Sequence, residues 1–206
     1  MKNCIIFGDS YSTYASHIPA GYPTYYPNRD VDDVSKTWWA SFCERAGLNL
    51  IQNNSWSGSP LGHTGYNNDD CSRHGSFIAR MRKLKNNGFL RQNNVDTVFV
   101  FGGTNDSWAN APLGEIKLAD WEEKDLFCVL PAICYSAYFL KTELPDAEIV
   151  FLINTDIKNE VQDCFEIAAK HFGVKSVRLH DIDKENNHPS AKGMAAICDQ
   201  LAEALL

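Results

Sequence analysis

The chain has 206 residues, of which 44% are hydrophobic and 22% are charged, a composition typical of a folded protein with a buried core, and we expect a single domain over residues 1–206. Its 26 Asp and Glu residues outnumber the 19 Lys and Arg residues and give a net charge of −7, which argues against a nucleic acid partner. No apolar run approaches the roughly 18 residues of a membrane span, and the N-terminus lacks the pattern of a signal peptide, so we expect no membrane partner and a cytoplasmic location.

The first predicted element is a short apolar strand that begins at Cys4 and ends at the tripeptide Gly8-Asp9-Ser10. In open α/β sheets the reactive groups gather beyond the carboxyl ends of the strands, so Ser10 is the candidate nucleophile. A tripeptide alone is weak evidence, because the same residues also suit an ordinary turn in which Asp9 bonds to nearby backbone. The assignment therefore depends on partners elsewhere in the chain.

The segment from Tyr11 to about Ser35 shows no sustained periodicity and is rich in Tyr, Pro, Gly and His. A long loop in a compact protein is often functional, and its aromatic rings could stack on a flat or sugar-like substrate. We take Tyr25 in this loop, and Asp9 and Tyr11 beside the candidate nucleophile, as candidate substrate-binding residues. The alternative is a surface loop that its own tyrosines anchor.

A helix and a second strand follow this loop. The spacing of apolar residues predicts a helix over 36–46 that ends at Gly47, and a strand over 48–53. A second polar loop, which contains Gly58, comes directly after this strand. Glycine, Asn, Asp and His dominate the next stretch, residues 60–74, where the spacing matches no metal-ligand motif, so no metal is expected.

The middle of the chain carries the most continuous apolar strand, which we predict over 95–101 after a short amphipathic helix that begins at Phe77. This strand runs directly into 102–106, a third polar loop at a strand end. Further on, acidic residues in a first turn predict one long helix over 120–143, in which Pro131 introduces a kink.

The last third of the chain repeats the alternation of strand and helix. The pattern predicts strands over 148–153 and 175–179, with a helix over 157–172 between them. The polar loop 181–189 then leads into a final helix.

Five strands that alternate with helices predict a parallel sheet whose two faces are covered by helices. The crossovers between parallel strands are right-handed, which brings the ends of all strands to one edge of the sheet. Four strand-end loops therefore place their polar groups on that edge: the hydroxyl of Ser10, the amide of Gly58, the carboxamide of Asn105 and the imidazole of His188.

Four short blocks at these strand ends resemble the four blocks of the SGNH (GDSL-type) hydrolases, and they occur in the order of that family. They are Gly8-Asp9-Ser10, Gly58 after Asn54 and Ser57, Gly103-Thr104-Asn105-Asp106, and His188-Pro189. The likeness spans nearly the whole chain. It implies a flavodoxin-like, three-layer α/β/α sandwich with a five-stranded parallel sheet, in a family of esterases, lipases, carbohydrate deacetylases and some thioesterases that needs no cofactor.

Carried over to this chain, the resemblance makes Ser10 the nucleophile and His188 the general base that later protonates the leaving alcohol. The oxyanion donors would be the amides of Ser10 and Gly58 and the side chain of Asn105. The chemistry requires such partners, since a serine is a poor nucleophile unless an imidazole takes its proton, and the tetrahedral oxyanion needs fixed donors.

The acid of the expected triad is where the sequence departs from the family. The family usually carries an aspartate three residues before the histidine, and that position holds Glu185 here. Asp183, two residues further back, is an alternative. Either carboxylate could hold the imidazole through its Nδ1 proton, and we favour Glu185 because its position matches that of the family's acid.

The expected function is hydrolysis of a small acyl ester, with an acetyl ester of a carbohydrate as the preferred substrate because the first loop is aromatic. A lipase or thioesterase of the same family and a non-catalytic carbohydrate-binding relative are alternatives. A phosphate-binding module on a flavodoxin-like sheet is disfavoured, since Asp9 would repel an anion from the loop after the first strand.

Overall fold

A computed structural model describes all 206 residues of the chain and confirms the predicted three-layer α/β/α architecture. The strands of the central sheet are β1 (Lys2–Gly8), β2 (Leu48–Ser55), β3 (Thr97–Phe101), β4 (Glu148–Ile153) and β5 (Lys175–Arg178). All neighbouring pairs are parallel, and the order across the sheet is β2-β1-β3-β4-β5. The strand that leads to Ser10 therefore lies inside the sheet, between β2 and β3.

Helices cover both faces of this sheet. They are α1 (Trp38–Ala46), α2 (Phe77–Asn86), α3 (Phe89–Gln92), α4 (Thr104–Trp108), α5 (Val129–Glu143), α6 (Asn159–Phe172) and α7 (Ala191–Leu205). Helices α1 and α7 pack together over one face, whereas α2, α5 and α6 cover the other. No helix of the structure is both long enough and apolar enough to cross a membrane.

The strands contribute alternate side chains to two separate cores. Ile5 and Phe7 of β1 pack on the side of α2, α5 and α6, whereas Cys4 and Ile6 pack on the side of α1 and α7. All five residues of β3 are buried. Because successive strand residues point to opposite faces and both faces are covered, the inner strands are apolar throughout.

The carboxyl ends of β2, β1 and β3 lie level at one edge of the sheet. Gly8 at the end of β1 pairs with Ser55 of β2 on one side and with Phe101 of β3 on the other. The three loops that follow, each with a predicted site residue, therefore start from adjacent points.

The prediction of one long helix over 120–143 is wrong. A 3₁₀ turn covers Glu123–Phe127, and α5 begins only at Val129. The chain breaks here because the amide of Val129 donates to Pro112 O at 2.9 Å, outside any helix. Pro131 lies in the first turn of α5, where backbone N–H groups have no acceptor within the helix. Its missing N–H therefore breaks no helical hydrogen bond, and Pro131 introduces no kink.

The loop predicted over 181–189 contains a short β-hairpin. Its strands are β6 (Lys184–Glu185) and β7 (His188–Pro189), which pair in antiparallel fashion. The two turn residues, Asn186 and Asn187, have φ values of 48° and 61°. Asn tolerates this left-handed conformation better than most residues and is common in two-residue hairpin turns. The backbone around His188 is therefore fixed by a tight turn.

Candidate active site

Ser10 follows β1 in a tight, buried turn. Asp9 Oδ1 accepts a hydrogen bond from Tyr11 N at 3.0 Å and caps the 3₁₀ turn that Ser10 begins. Gly8 makes the turn possible, because a Cβ atom at this position would lie 2.5 Å from Ser12 Cβ. Ser10 is only 3% exposed, so its hydroxyl has a defined position at the end of the strand.

The imidazole of His188 lies against the serine hydroxyl. His188 Nε2 is 3.0 Å from Ser10 Oγ, and His188 Nδ1 is 3.0 Å from Asn186 O. Because a carbonyl oxygen only accepts, Nδ1 carries the proton and Nε2 can accept from Ser10. Burial lowers the pKa of His188 below its ordinary value, and the opposing effect of the Asn186 carbonyl is smaller. The ring is therefore neutral at pH 7 and able to take a proton.

The structure brings neither predicted acid to the imidazole. Glu185 forms an exposed ion pair with Arg29, and Asp183 accepts a hydrogen bond from Ser190 at the start of α7. The expectation that one of these carboxylates holds Nδ1 is wrong for this geometry, because the hairpin turn places Asn186 O there instead. Ser10 and His188 are in hydrogen-bond contact, and a backbone carbonyl occupies the place expected for the acid.

Three aromatic rings lie next to the imidazole. The ring of Tyr25 is stacked on His188, with centroids 3.6 Å apart and planes 7° apart. The ring centroids of Tyr11 and Trp108 are 5.4 Å and 6.0 Å from that of the imidazole. The hydroxyl of Tyr11 also donates to Asn187 O in the hairpin turn. Packing therefore fixes the plane of the imidazole, a task that a carboxylate performs in a triad.

Of the three predicted substrate-binding residues, only Tyr25 reaches the surface. Asp9 and Tyr11 are both 0% exposed, so the prediction that they contact substrate is wrong. Asp9 shapes the turn that holds Ser10, and Tyr11 supports the hairpin that carries His188. Tyr25 is half-buried on the imidazole and stays a candidate for substrate contact.

The three predicted oxyanion donors follow three adjacent strands, β1, β2 and β3. The amides of Ser10 and Gly58 donate no hydrogen bond within the protein. Gly58 is exposed and has a φ of 82°, a left-handed conformation that favours glycine. Asn105 Nδ2 donates one hydrogen bond, to Ser59 O at 3.0 Å, which leaves its second N–H free. Each of the three groups thus retains an unused donor.

A fully buried arginine lies beneath these donors. Arg80 on α2 donates to Gly8 O at 3.2 Å, to Ser59 Oγ at 2.9 Å and to Asn54 O. It thereby joins the ends of β1 and β2 to the residue whose carbonyl holds Asn105. Burial lowers the pKa of Arg80 to about 9, so the guanidinium remains charged at neutral pH.

The two aspartates beside these groups, Asp9 and Asp106, are buried. Burial raises the pKa of Asp9 to about 7 and that of Asp106 to about 6. Asp106 accepts hydrogen bonds from Leu61 N at 2.8 Å and from Gly62 N at 3.0 Å, which holds the loop after β2 against α4. The His, Cys, Asp and Glu side chains form no group of three or more that could hold a metal ion.

Comparison with known families agrees with this geometry. A model of the GDSL-like Lipase/Acylhydrolase family matches residues 2–205. The chain belongs to this family. It is a GDSL-type hydrolase, as the four blocks in its sequence predicted.

Solved structures of similar proteins cover the whole of this GDSL-type hydrolase. A protein assigned as a GDSL-like lipase from Bacteroides uniformis ATCC 8492 is 40% identical, with a TM-score of 0.91 and 100% of this chain and 95% of that chain covered. A second such protein, from Bacteroides ovatus ATCC 8483, is 37% identical, with a TM-score of 0.90 and 98% and 97% covered. An acetyl xylan esterase from Butyrivibrio proteoclasticus shares the fold at 15% identity, with a TM-score of 0.62 and 99% of this chain and 63% of that chain covered. A comparison with curated protein sequences found no match.

Several residues of the site escaped the sequence analysis. For Arg80 a signal was available, because it lies on the apolar face of α2, three residues after Phe77 and one before Met81. A charged residue on such a face usually has a buried partner. For Tyr66, which bonds to Asn105, and for Trp108, no local pattern in the sequence distinguishes them from the other aromatic residues.

Proposed function

We propose that this GDSL-type hydrolase is a serine esterase that cleaves small acyl esters with a Ser10-His188 dyad. The observation that carries the proposal is the 3.0 Å contact between His188 Nε2 and Ser10 Oγ, with the Nδ1 proton held by Asn186 O. Only in this tautomer can Nε2 accept the proton of the hydroxyl.

The geometry supports a two-step acyl transfer. Ser10 Oγ attacks the acyl carbonyl while its proton passes to His188 Nε2. The carbonyl oxygen becomes an oxyanion, which the unused N–H groups of Ser10, Gly58 and Asn105 stabilise. The imidazolium then protonates the leaving alcohol, and the acyl group stays on Ser10. A water molecule then attacks this ester while one of its protons passes to the same imidazole, and the imidazolium returns that proton to Ser10 Oγ as the acid leaves.

The imidazolium formed in each step is stabilised without a carboxylate. Asn186 O accepts the Nδ1 proton, and the ring of Tyr25 covers one face of the imidazole. A cation against an aromatic face is stabilised by about 0.5–2 kcal/mol. Both partners are uncharged, so we expect them to stabilise the positive ring less than a buried aspartate does.

An acetyl ester of a carbohydrate is the substrate class that we favour. Trp108 and Tyr66, which are 37% and 39% exposed, lie beside His188 and Asn105, where their rings could pack against a sugar. The cavity that Tyr25 and His188 line has a volume of only about 10 Å³, which leaves no room for a long acyl chain. The acetyl xylan esterase that shares the fold agrees with this choice.

Hydrolysis of p-nitrophenyl esters from acetyl to longer acyl chains tests the proposal. We expect the acetyl ester to react fastest, and Ser10→Ala to be inactive with an unchanged midpoint of thermal unfolding. Activity in Ser10→Ala would refute the proposed nucleophile. A maximum at long acyl chains would favour the lipase or thioesterase alternative, and no turnover of any ester would favour a non-catalytic carbohydrate-binding protein.

A further inference from the structure

The carboxamide of Asn105 is held at both of its ends. Its Nδ2 lies 3.0 Å from Ser59 O, and its Oδ1 lies 3.0 Å from the hydroxyl oxygen of Tyr66. An amide oxygen only accepts, so the hydroxyl of Tyr66 must be the donor. Of the two N–H bonds on Nδ2, one is used by Ser59 and one is free.

This arrangement excludes the flipped orientation of the carboxamide. In a flipped Asn105, Oδ1 would meet Ser59 O and the amide nitrogen would meet the Tyr66 hydroxyl, so the hydrogen bond to Ser59 would be replaced by repulsion between two acceptors. The donor that the oxyanion needs would also be turned away. Ser59 O therefore selects the orientation that keeps an N–H available, and the hydroxyl of Tyr66 adds a second hydrogen bond that holds the carboxamide in this orientation.

The loop that carries Tyr66 is itself well anchored. Gly65 N donates to Asp69 O at 2.8 Å, and Thr64 Oγ1 donates to Phe127 O at 2.7 Å. The two residues after Tyr66, Asn67 and Asn68, have φ values of 55° and 60°. Such left-handed residues are uncommon outside glycine, and a pair of them gives the loop a sharp, defined turn. The ring is 39% exposed while its hydroxyl bonds to the buried Asn105.

We propose that Tyr66 is a positioning residue of the oxyanion hole, which orients Asn105 and strengthens its free N–H as a donor. A hydrogen bond to the oxygen of an amide polarises the group and makes its N–H bonds better donors. Burial raises the pKa of Tyr66, and Asp9 and Asp106 raise it further, so the hydroxyl keeps its proton at neutral and mildly alkaline pH. The proposal rests on the proposed function, in which Asn105 binds the oxyanion.

The substitution Tyr66→Phe removes the hydroxyl and leaves the ring in place. We expect kcat for p-nitrophenyl acetate to fall about three- to tenfold with KM changed by less than about twofold, since one neutral hydrogen bond is lost and it acts in the transition state. Tyr22→Phe is the matched control, because Tyr22 packs on Trp56 and its hydroxyl does not contact Asn105. This control should retain the activity of the unmodified protein.

A double-mutant cycle identifies the residue through which Tyr66 acts. In the Asn105→Ala background, Tyr66→Phe should change kcat by less than about 1.5-fold, because the partner is already gone. Inhibition by phenylboronic acid gives a second readout: Ser10 Oγ bonds to boron, its proton passes to His188, and a boronate anion forms. Tyr66→Phe should raise the inhibition constant by about the factor by which it lowers kcat, and Tyr22→Phe should not change it.

Three results would overturn the inference. They are an unchanged kcat in Tyr66→Phe, an effect on KM alone, and an equal loss with and without Asn105. Activity in Ser10→Ala would instead refute the proposed function itself. If Ser10→Ala is inactive and Tyr66→Phe behaves like Tyr22→Phe, the esterase assignment stands and only the role of Tyr66 fails.

Discussion

The two sides of the active site are held by different means. On the oxyanion side, donors on the ends of β1, β2 and β3 rest on buried polar groups, with Arg80 only 1% exposed beneath them. On the base side, His188 lies on a two-residue hairpin and is held by Asn186 O and the ring of Tyr25. The carboxylate nearest to it in sequence, Glu185, has a side chain that is 49% exposed.

This difference shows which parts of the site are built into the core. The proposed nucleophile, Ser10, and the proposed oxyanion donors follow strand ends whose positions the sheet determines. The proposed base, His188, lies on a surface hairpin, and the orientation of its ring depends on stacking with Tyr25 and on one backbone carbonyl. A substitution on the oxyanion side should therefore strongly lower activity or stability. The base side should tolerate the loss of its carboxylates.

Among substitutions that leave Ser10 in place, the largest effect is expected for Asn105→Ala on the oxyanion side. Loss of one oxyanion donor typically lowers kcat about 10²- to 10³-fold with little change in KM, because the interaction forms only in the transition state. Steady-state kinetics with p-nitrophenyl acetate measure both constants. Ser107→Ala on the same helix is the control and should stay within about twofold. A change in KM alone would identify Asn105 as a substrate-binding residue. It would contradict the view that the oxyanion side is the more sensitive of the two sides.

The support beneath the donors can be tested with Arg80→Met. This substitution removes the hydrogen bonds from Arg80 to Gly8 O, Asn54 O and Ser59 Oγ. Gly8 O still accepts from Trp56 N, and Ser59 Oγ still donates to Gly75 O. A hydrogen bond to a charged group contributes about 1.5–3 kcal/mol, so we expect the free energy of unfolding to fall by about 3 kcal/mol or more. Urea denaturation measures it, with Arg91→Met as the exposed control. If both variants are equally stable, the oxyanion side is not held by Arg80.

Substitution of Tyr25 tests the packing on the base side. We expect Tyr25→Ala to lower kcat about five- to tenfold, since loss of the stacked ring removes about 1 kcal/mol from the stabilisation of the imidazolium. Tyr25→Phe keeps the ring and should stay within about twofold. Activity assays on both variants separate the ring from the hydroxyl. A rise in KM without a loss of kcat would instead make Tyr25 a substrate contact.

The smallest effect is expected for the two carboxylates that the sequence offers as the acid. Glu185→Gln and Asp183→Asn should each change kcat by less than about threefold, because neither side chain contacts the imidazole. In a strongly coupled triad the loss of the acid costs about 10⁴ in kcat. Measurement of kcat for both variants is therefore decisive. A hundredfold loss in either one would name the acid and show that the hairpin rearranges during catalysis.

Much of the site could be predicted from sequence because its residues are tied to strand ends. The apolar runs before Ser10 and Asn105 predict buried strands, and parallel strands with right-handed crossovers must end at one edge. The helix over 120–143 could not be predicted correctly, since the chain breaks where Val129 N bonds to Pro112 O, a contact outside the periodic pattern. The buried positions of Asp9 and Tyr11 also depend on neighbours distant in the chain.

The sequence by itself determined the fold class, the family and the order of the groups Ser10, Gly58, Asn105 and His188, because each depends on local pattern or on the geometry common to all parallel sheets. Only the tertiary structure decided how the base is oriented. The side chain of Glu185 turns to Arg29 and Tyr25 comes to lie on the imidazole, and these contacts join segments that are far apart in the chain. Such contacts depend on how loops pack, and no residue spacing within one loop specifies them.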